Sequence, residues 1–410
     1  MLKILGEDFR QAIVFRVGPE VRVEPVQLIR RTSTNRLAQH GLIGIENGEL
    51  FQEFLRFPQS VGVLENDVAA DGARYRGDEF NNRLMRQAHR VFEDAAPEKL
   101  GCDLLLAGKA AIEPVGRTEF KNWGRWGPND ERGTTNLITA AKVLSAAKLV
   151  KTGLVVSLAR PVPQAVDPEV PAAAVFHRVT NAISATNTTD NYQISYHGLG
   201  LSHMDSFCHF FADGMLYNGY PVADNITPET GCKKDSIMAW RDGIVTRAVL
   251  CDIPQLKGVD WIEPGTPVTR ADLEAWEKKS GVKAGPGDVI LLYVGRWKRR
   301  AAKAPQPGMS AGYYADVIPW IKEREVAFIG HDSNIDWNPR PGWGAAEGIP
   351  VNPIHQAVLN WMGVNIIENL DLEQAAETAR RLKRYEFMLT FAPIPVEGGT
   401  GSPINPLAVF

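Results

Sequence analysis

The chain has 410 residues, 44% of them hydrophobic, with 45 basic and 48 acidic side chains and a formal net charge of −3. This composition is typical of a soluble globular protein. The sequence has no Lys/Arg tract, so it lacks the basic surface expected of a nucleic-acid-binding protein. No stretch reaches the roughly 18 apolar residues of a membrane span, and charges interrupt the N-terminal segment. We therefore predict neither membrane insertion nor secretion.

Residues 1–116 contain short apolar runs and an amphipathic stretch, NNRLMRQAHRVFEDA, whose apolar residues recur at helical spacing. No cluster of metal-ligating or nucleophilic residues is visible there. We interpret this part as an accessory N-terminal region and residues 117–410 as the main domain.

The main domain begins with a helix predicted from Thr139 to Gly153. Apolar, β-branched runs that predict strands then alternate with helical patterns. The predicted strands are 154–159, 192–198, 244–253, 288–295 and 326–332, and the predicted helices are 270–281, 310–325 and 352–363. The alternation predicts an α/β fold.

Cysteines are few and irregularly spaced: Cys102, Cys208, Cys232 and Cys251. The absence of a CxxC pair predicts a reduced, cytoplasmic protein without a disulfide framework or a zinc ribbon. Cys208 could be a nucleophile or a ligand, but its aromatic surroundings favour a buried, inert thiol.

Histidines concentrate in one segment, where four of the eight lie between His177 and His209. His203 and Asp205 are two residues apart, so on a strand both side chains point to one face and could share a cation. His209 lies four residues beyond Asp205 and could return to the same site as a general base or acid. The alternative is a hydrogen-bonded core histidine, since an HxD pair often occurs by chance.

The segment HGLGLSHMDSFCHFFADGMLYNG resembles the signature of the metal-dependent cyclase hydrolase family, which includes kynurenine formamidase and isatin hydrolase. Five further blocks are similar to family landmarks in the same order: NWGRWGPNDERGTTNLIT, GIVTRAVLCDI, AGPGDVILLYVGRW, HQAVLNWMGVNIIENLDL and GGTGSPINPLA. The resemblance covers residues 117–410. It implies a swivelling β/α/β domain, assembled as a homodimer or homotetramer.

Carried over by position, the resemblance implies metal ligands at His203, Asp205, His355 and Glu368. It also departs from the short family signature, because Leu199 and Leu201 replace a histidine and a glycine. His197 lies six residues before His203 and could substitute as a ligand, hydrogen-bond the substrate, or do neither. The loss of one ligand favours one divalent ion, Mn or Zn, over two.

The predicted activity is hydrolysis by a metal-activated water of an amide, lactam, lactone or ester, with a cyclic or aromatic small molecule as substrate. The sequence lacks a convincing GxSxG elbow, phosphate loop or dinucleotide fingerprint. The candidate substrate-binding residues are Trp123, Trp126, Arg296 and Phe207, the last replacing a signature proline. The alternatives are a metal-dependent cyclase or dehydratase, and a non-catalytic small-molecule binding protein on the same fold.

Overall fold

The computed structural model describes residues 12–17, 20–25, 119–162, 168–169, 175–179, 187–341 and 352–410. The chain divides into two compact units, Met1–Ala107 and Gly108–Phe410. In the first unit, β1 (Ala12–Val17) and β2 (Glu20–Pro25) form an antiparallel pair. The helix predicted from NNRLMRQAHRVFEDA lies outside the described residues.

The described strands of the second unit are β3 (Val155–Ser157), β4 (Val175–Val179), β5 (Asp190–Ile194), β6 (His203–Asp205), β7 (Ile226–Thr227), β8 (Gly231–Cys232), β9 (Ile244–Asp252), β10 (Pro267–Val268), β11 (Val289–Tyr293), β12 (Gly312–Tyr313), β13 (Phe328–His331), β14 (Asn365–Glu368), β15 (Glu386–Phe391), β16 (Gly401–Pro403) and β17 (Leu407–Val409). Within these residues, nine strands form one sheet in the order β16-β6-β14-β13-β11-β9-β15-β17-β3.

The helices are α1 (Ala140–Ala147), α2 (Val222–Asn225), α3 (Ile253–Lys257), α4 (Arg270–Ser280), α5 (Arg296–Ala302), α6 (Val317–Arg324), α7 (Pro353–His355) and α8 (Glu373–Leu382). Short 3₁₀ turns span Gly133–Leu137, Tyr217–Gly219 and Ile237–Trp240, and a π-helix spans Gln356–Met362. No helix in the described parts of the chain is both long and apolar enough to cross a membrane.

The centre of the sheet is parallel, and its strands are buried on both faces. The four neighbouring strands β14, β13, β11 and β9 run in parallel, and every residue of β11, with the sequence VILLY, is buried. Such a continuous apolar run is what a parallel strand covered on both sides requires. Their carboxyl ends therefore meet at one edge, where loops can carry functional groups.

The predicted α/β fold class is confirmed, with differences at three helices. The helix predicted from Thr139 to Gly153 is α1, which ends at Ala147. The pattern over 310–325 gives a helix only from Val317, because Pro319 lacks an N–H and is tolerated only in a first turn. The segment 352–363 forms α7 and then the π-helix, which ends at Gly363 with φ 62°. A π-helix is rare and often lies beside a functional site.

Candidate active site

Strand register brings three of the predicted ligands to one face of the sheet. In the antiparallel pair of β6 and β14, His203 lies opposite Glu368 and Asp205 lies opposite Ile366. Directly opposed residues point to the same face, as do residues two apart on one strand. His203, Asp205 and Glu368 therefore share a face, and all three are buried.

Asp205 is at the centre of this cluster and lacks hydrogen bonds. Its side chain is 1% exposed, and neither carboxylate oxygen has a hydrogen-bond partner. Oδ1 lies 3.1 Å from Nδ1 of His197 and 3.5 Å from Nε2 of His203. A buried carboxylate is costly unless it is paired or binds a cation.

The imidazoles of His197 and His203 are each anchored through the nitrogen that faces away from Asp205. Nδ1 of His203 is 2.8 Å from the Leu201 carbonyl oxygen, and Nε2 of His197 is 2.9 Å from Oγ1 of Thr400. This arrangement leaves the second nitrogen of each ring directed at Asp205, as outer partners do for metal-binding histidines. Sequence reasoning missed Thr400, which lies 203 residues beyond His197 in the chain.

The spacing of these atoms suits a metal ion. One donor atom from each of His197, His203 and Asp205 lies within 4.8 Å of the other two. Ligands bound at about 2.1 Å in a tetrahedron stand about 3.4 Å apart, close to the contacts that Asp205 makes. A Cβ added at Gly401 would lie 3.1 Å from Cε1 of His197, so the glycine leaves room for this ring.

His355 and Glu368 approach Asp205 from its other side. Nε2 of His355 is 3.7 Å from Oδ2 of Asp205 and 3.4 Å from Oε1 of Glu368. Nδ1 of His355 lies 2.5 Å from Oδ2 of Asp336, a buried carboxylate that also accepts the backbone N–H of Ile354. Asp336 thus orients His355, a role that sequence reasoning missed because no local motif marks it.

Burial and charge set the protonation of the cluster. Burial alone would raise the pKa of Asp205, but neighbouring imidazoles, foremost that of His197, hold it well below its ordinary value. Burial lowers the pKa of His203. Burial would also lower the pKa of His355, but the carboxylates of Glu368 and Asp336 outweigh it and raise this pKa to about 9. The Asp205–His203 pair is therefore in the charge state that a metal requires.

His209 returns to the cluster through a tight turn, in which its N–H donates to the carbonyl oxygen of Ser206 at 3.1 Å. Its Nε2 lies 4.0 Å from Oδ1 of Asp205, and its ring stacks on His197 with centroids 3.7 Å apart. Burial lowers the pKa of His209 to about 4, so the imidazole is neutral at pH 7 and can accept a proton.

Phe210 follows His209 and contacts both sides of the cluster. Its ring centroid lies 4.9 Å from that of His209 and 4.7 Å from that of His355. The next residue, Phe211, is 49% exposed. Sequence analysis did not single out this aromatic pair, although it stands beside the histidine segment.

The four candidate substrate-binding residues have the following contacts. Phe207 is fully buried and packs against Tyr217 and Trp240, so it is part of the core. Arg296 is also buried, and its guanidinium donates to Asn369 and pairs with Glu169. The two tryptophans face other partners: Trp123 donates from Nε1 to the Asn360 carbonyl oxygen, and Trp126 lies beneath the guanidinium of Arg125.

The prediction of an inert thiol at Cys208 was wrong. Cys208 and Cys232 form a disulfide with Cα atoms 6.5 Å apart, whereas Cys251 is a buried free thiol. The irregular spacing gave no sign of this pair, because the fold brings β8 against the turn after β6 from 24 residues away.

Comparisons with known proteins agree with the fold. A family model described as "Cyclase" matches residues 134–336. A crystal structure described as a novel cyclase is 30% identical, with a TM-score of 0.63, over 71% of this chain and 99% of that chain. Comparison with curated protein sequences gives no match.

Two more distant structures are similar in fold alone. Isatin hydrolase A from Labrenzia aggregata is 20% identical, with a TM-score of 0.44, over 65% of this chain and 97% of that chain. A structure described as a predicted metal-dependent hydrolase from Bacillus stearothermophilus is 12% identical, with a TM-score of 0.36, over 62% of this chain and 97% of that chain.

Proposed function

The chain belongs to the cyclase family, and we propose that it is a metal-dependent hydrolase that cleaves an amide, lactam, lactone or ester bond. One observation carries the proposal: the carboxylate of Asp205 is buried among imidazoles and has no hydrogen bond. A carboxylate held in this way, with histidine nitrogens directed at it, is suited to bind a divalent cation.

The ligands of the proposed ion are His197, His203 and Asp205. His355 and Glu368 lie on the far side of the Asp205 carboxylate. Imidazole nitrogens with carboxylate oxygens suit manganese and zinc alike. When bound, such an ion supplies Lewis acidity and makes water reactive near neutral pH. We propose one ion per chain, because Leu199 stands where the short family signature has a histidine, so a ligand for a second ion is missing.

His209 is the proposed general base. Its neutral Nε2 takes a proton from the attacking water and returns it to the leaving nitrogen or oxygen. The stacking contact with His197 keeps the ring beside the cluster at a distance of 4.0 Å from Asp205, too far for a hydrogen bond. The imidazole is thereby available for substrate chemistry.

We propose a cyclic or aromatic small molecule as substrate. The support is the ring of Phe210, which contacts His209 and His355 and so offers an apolar face beside the reacting groups. Flat rings pack favourably against such a face.

The test uses the full chain loaded with manganese or zinc and three probes: isatin as a cyclic amide, formanilide as an aromatic amide and phthalide as a lactone. We expect at least one probe to be hydrolysed with incorporation of ¹⁸O from labelled water. His209→Ala should keep the metal and lose turnover, whereas Asp205→Asn should lose both.

Product formation without the label would indicate cyclisation or dehydration instead of hydrolysis. Tight binding of a probe without turnover by the metal-loaded protein would support a binding protein. Either result would contradict the proposal.

A further inference from the structure

The disulfide lies directly beside the proposed general base. Cys208 precedes His209 in the chain, and its partner Cys232 belongs to β8, on a different part of the fold. Both cysteines are buried, at 2% and 3% exposure, and they pack in one apolar cluster with Leu216. A covalent link therefore joins the turn that carries His209 to β8.

Both halves of this link are held by backbone hydrogen bonds. The N–H of Cys208 donates to the Asp235 carbonyl oxygen at 3.2 Å, and the N–H of Cys232 donates to the Gly398 carbonyl oxygen at 2.9 Å. The adjacent Ser206 donates its N–H to the Thr400 carbonyl oxygen. Thr400 is the residue that anchors His197, so the two stacked imidazoles share one framework.

The imidazole of His209, in contrast, has no hydrogen bond of its own within the described residues. It contacts the rings of His197 and Phe210, which limit its tilt, and its position along the cluster depends on the backbone of the turn. A displacement of about 1 Å in a reacting group can cost about 100-fold in rate.

We propose that the Cys208–Cys232 disulfide is a positioning element that holds His209 at the reacting centre, so that turnover requires the oxidised pair. This inference rests on the proposed function. Reduction by a dithiol transfers two electrons and two protons: the S–S bond breaks, both cysteines become thiols, and the dithiol closes to its own disulfide. The turn is then held by hydrogen bonds alone.

The experiment compares wild-type protein, the Cys208→Ala/Cys232→Ala variant and the control Cys251→Ala, all loaded with manganese and assayed with isatin, formanilide and phthalide. We expect the double variant to lose about 10- to 100-fold in kcat, with KM and metal content unchanged. Dithiothreitol should lower kcat of wild-type and Cys251→Ala alike, and reoxidation should restore it.

A double-mutant cycle with His209→Ala separates positioning from general stability. If the disulfide acts through His209, its removal from the His209→Ala protein should cost no further activity. An equal loss in both backgrounds would overturn the proposal, as would a fully reduced wild-type pair in mass spectrometry. Wild-type protein that binds metal but hydrolyses no probe would instead contradict the proposed function, a distinct result.

If the double variant does not fold, reduction and reoxidation of the wild-type protein decide the matter. Unchanged kcat after verified reduction of the pair would overturn the proposal.

Discussion

Two buried carboxylates of this unit, those of Asp288 and Asp205, differ in their hydrogen bonding. Asp288, fully buried before β11, accepts hydrogen bonds from Nε of Arg247 at 2.9 Å and from the N–H of Gly285 at 2.8 Å, and it also pairs with Lys142. Asp205, equally buried on β6, has no hydrogen bond. Asp288, Arg247 and Lys142 thus form an ionic network in which the carboxylate oxygens are paired. The carboxylate oxygens of Asp205 accept no hydrogen bond, although imidazoles are directed at them.

The difference shows where this fold tolerates an incomplete polar cluster. Burying an ionised carboxylate is costly, and at Asp288 two cations and a backbone donor offset the cost. At Asp205 the favourable partners are histidines, two of which are anchored from behind. The Asp205 cluster therefore lowers the stability of the fold but leaves ligand atoms available.

The largest predicted effect concerns the reacting group beside Asp205. His209→Ala should reduce turnover by about 10²- to 10⁴-fold, the usual contribution of a general base, with metal content unchanged. His177→Ala is a matched control, because this histidine pairs with Asp190 outside the cluster. Elemental analysis and steady-state kinetics check both; loss of metal in His209→Ala would make His209 a ligand.

A substitution in the Asp288 network should lower the free energy of unfolding without affecting metal binding. Asp288→Asn leaves Lys142 without its partner and Arg247 with Glu386 alone, and we expect a loss of about 1 to 3 kcal/mol in the free energy of unfolding. Metal content should stay at the wild-type level. Urea unfolding with elemental analysis tests this prediction. Metal loss in the folded variant would show that Asp288 also contributes to metal binding.

The anchoring of the imidazoles should be measurable by itself. Thr400→Val removes the hydroxyl that contacts Nε2 of His197, and we expect metal affinity to fall by about 10- to 100-fold. Thr390→Val on β15 is the control, with affinity unchanged. Isothermal titration with manganese gives the result, and equal affinities for all three proteins would show that the Thr400 hydroxyl does not orient a metal ligand.

The last predicted effect is a pH dependence of stability at His331, a fully buried imidazole whose Nδ1 accepts the Ser333 N–H. Burial lowers its pKa to about 3 from the ordinary 6.5. The unfolded chain therefore binds the proton more readily, so stability is complete above pH 6.5 and falls as the pH decreases toward 3.

The contribution of His331 reaches at most about 1.4 kcal/mol per pH unit. His331→Asn retains an acceptor for Ser333 but does not titrate. Unfolding free energies of the two proteins between pH 4 and 7 should therefore diverge, with wild-type losing more as the pH falls. Parallel curves would show that His331 does not cause the pH dependence of stability.

Local pattern made part of the site predictable. The spacing of His203 and Asp205 places both on one strand face, and the observed β6 has that geometry. The return of His209 toward Asp205 followed from its four-residue spacing. Buried apolar runs likewise predicted β9, β11 and β13 to within about two residues, because such runs need a covered sheet.

What escaped prediction depends on contacts between distant segments. Asp336 orients His355, Thr400 anchors His197, and Cys232 reaches Cys208, yet none carries a local signature. An aromatic residue beside a site motif can face either the pocket or the core, and the packing of Phe207 against Trp240 is visible only in the fold.

We propose that the carboxylate of Asp205 accepts no hydrogen bond because it binds a divalent ion. The most direct test is the metal content of the full chain, purified and then equilibrated with manganese or zinc, beside the Asp205→Asn variant. We predict one ion per wild-type chain and none in the variant. Two ions would assign a second to His355 and Glu368, and equal metal content in both proteins would contradict the account.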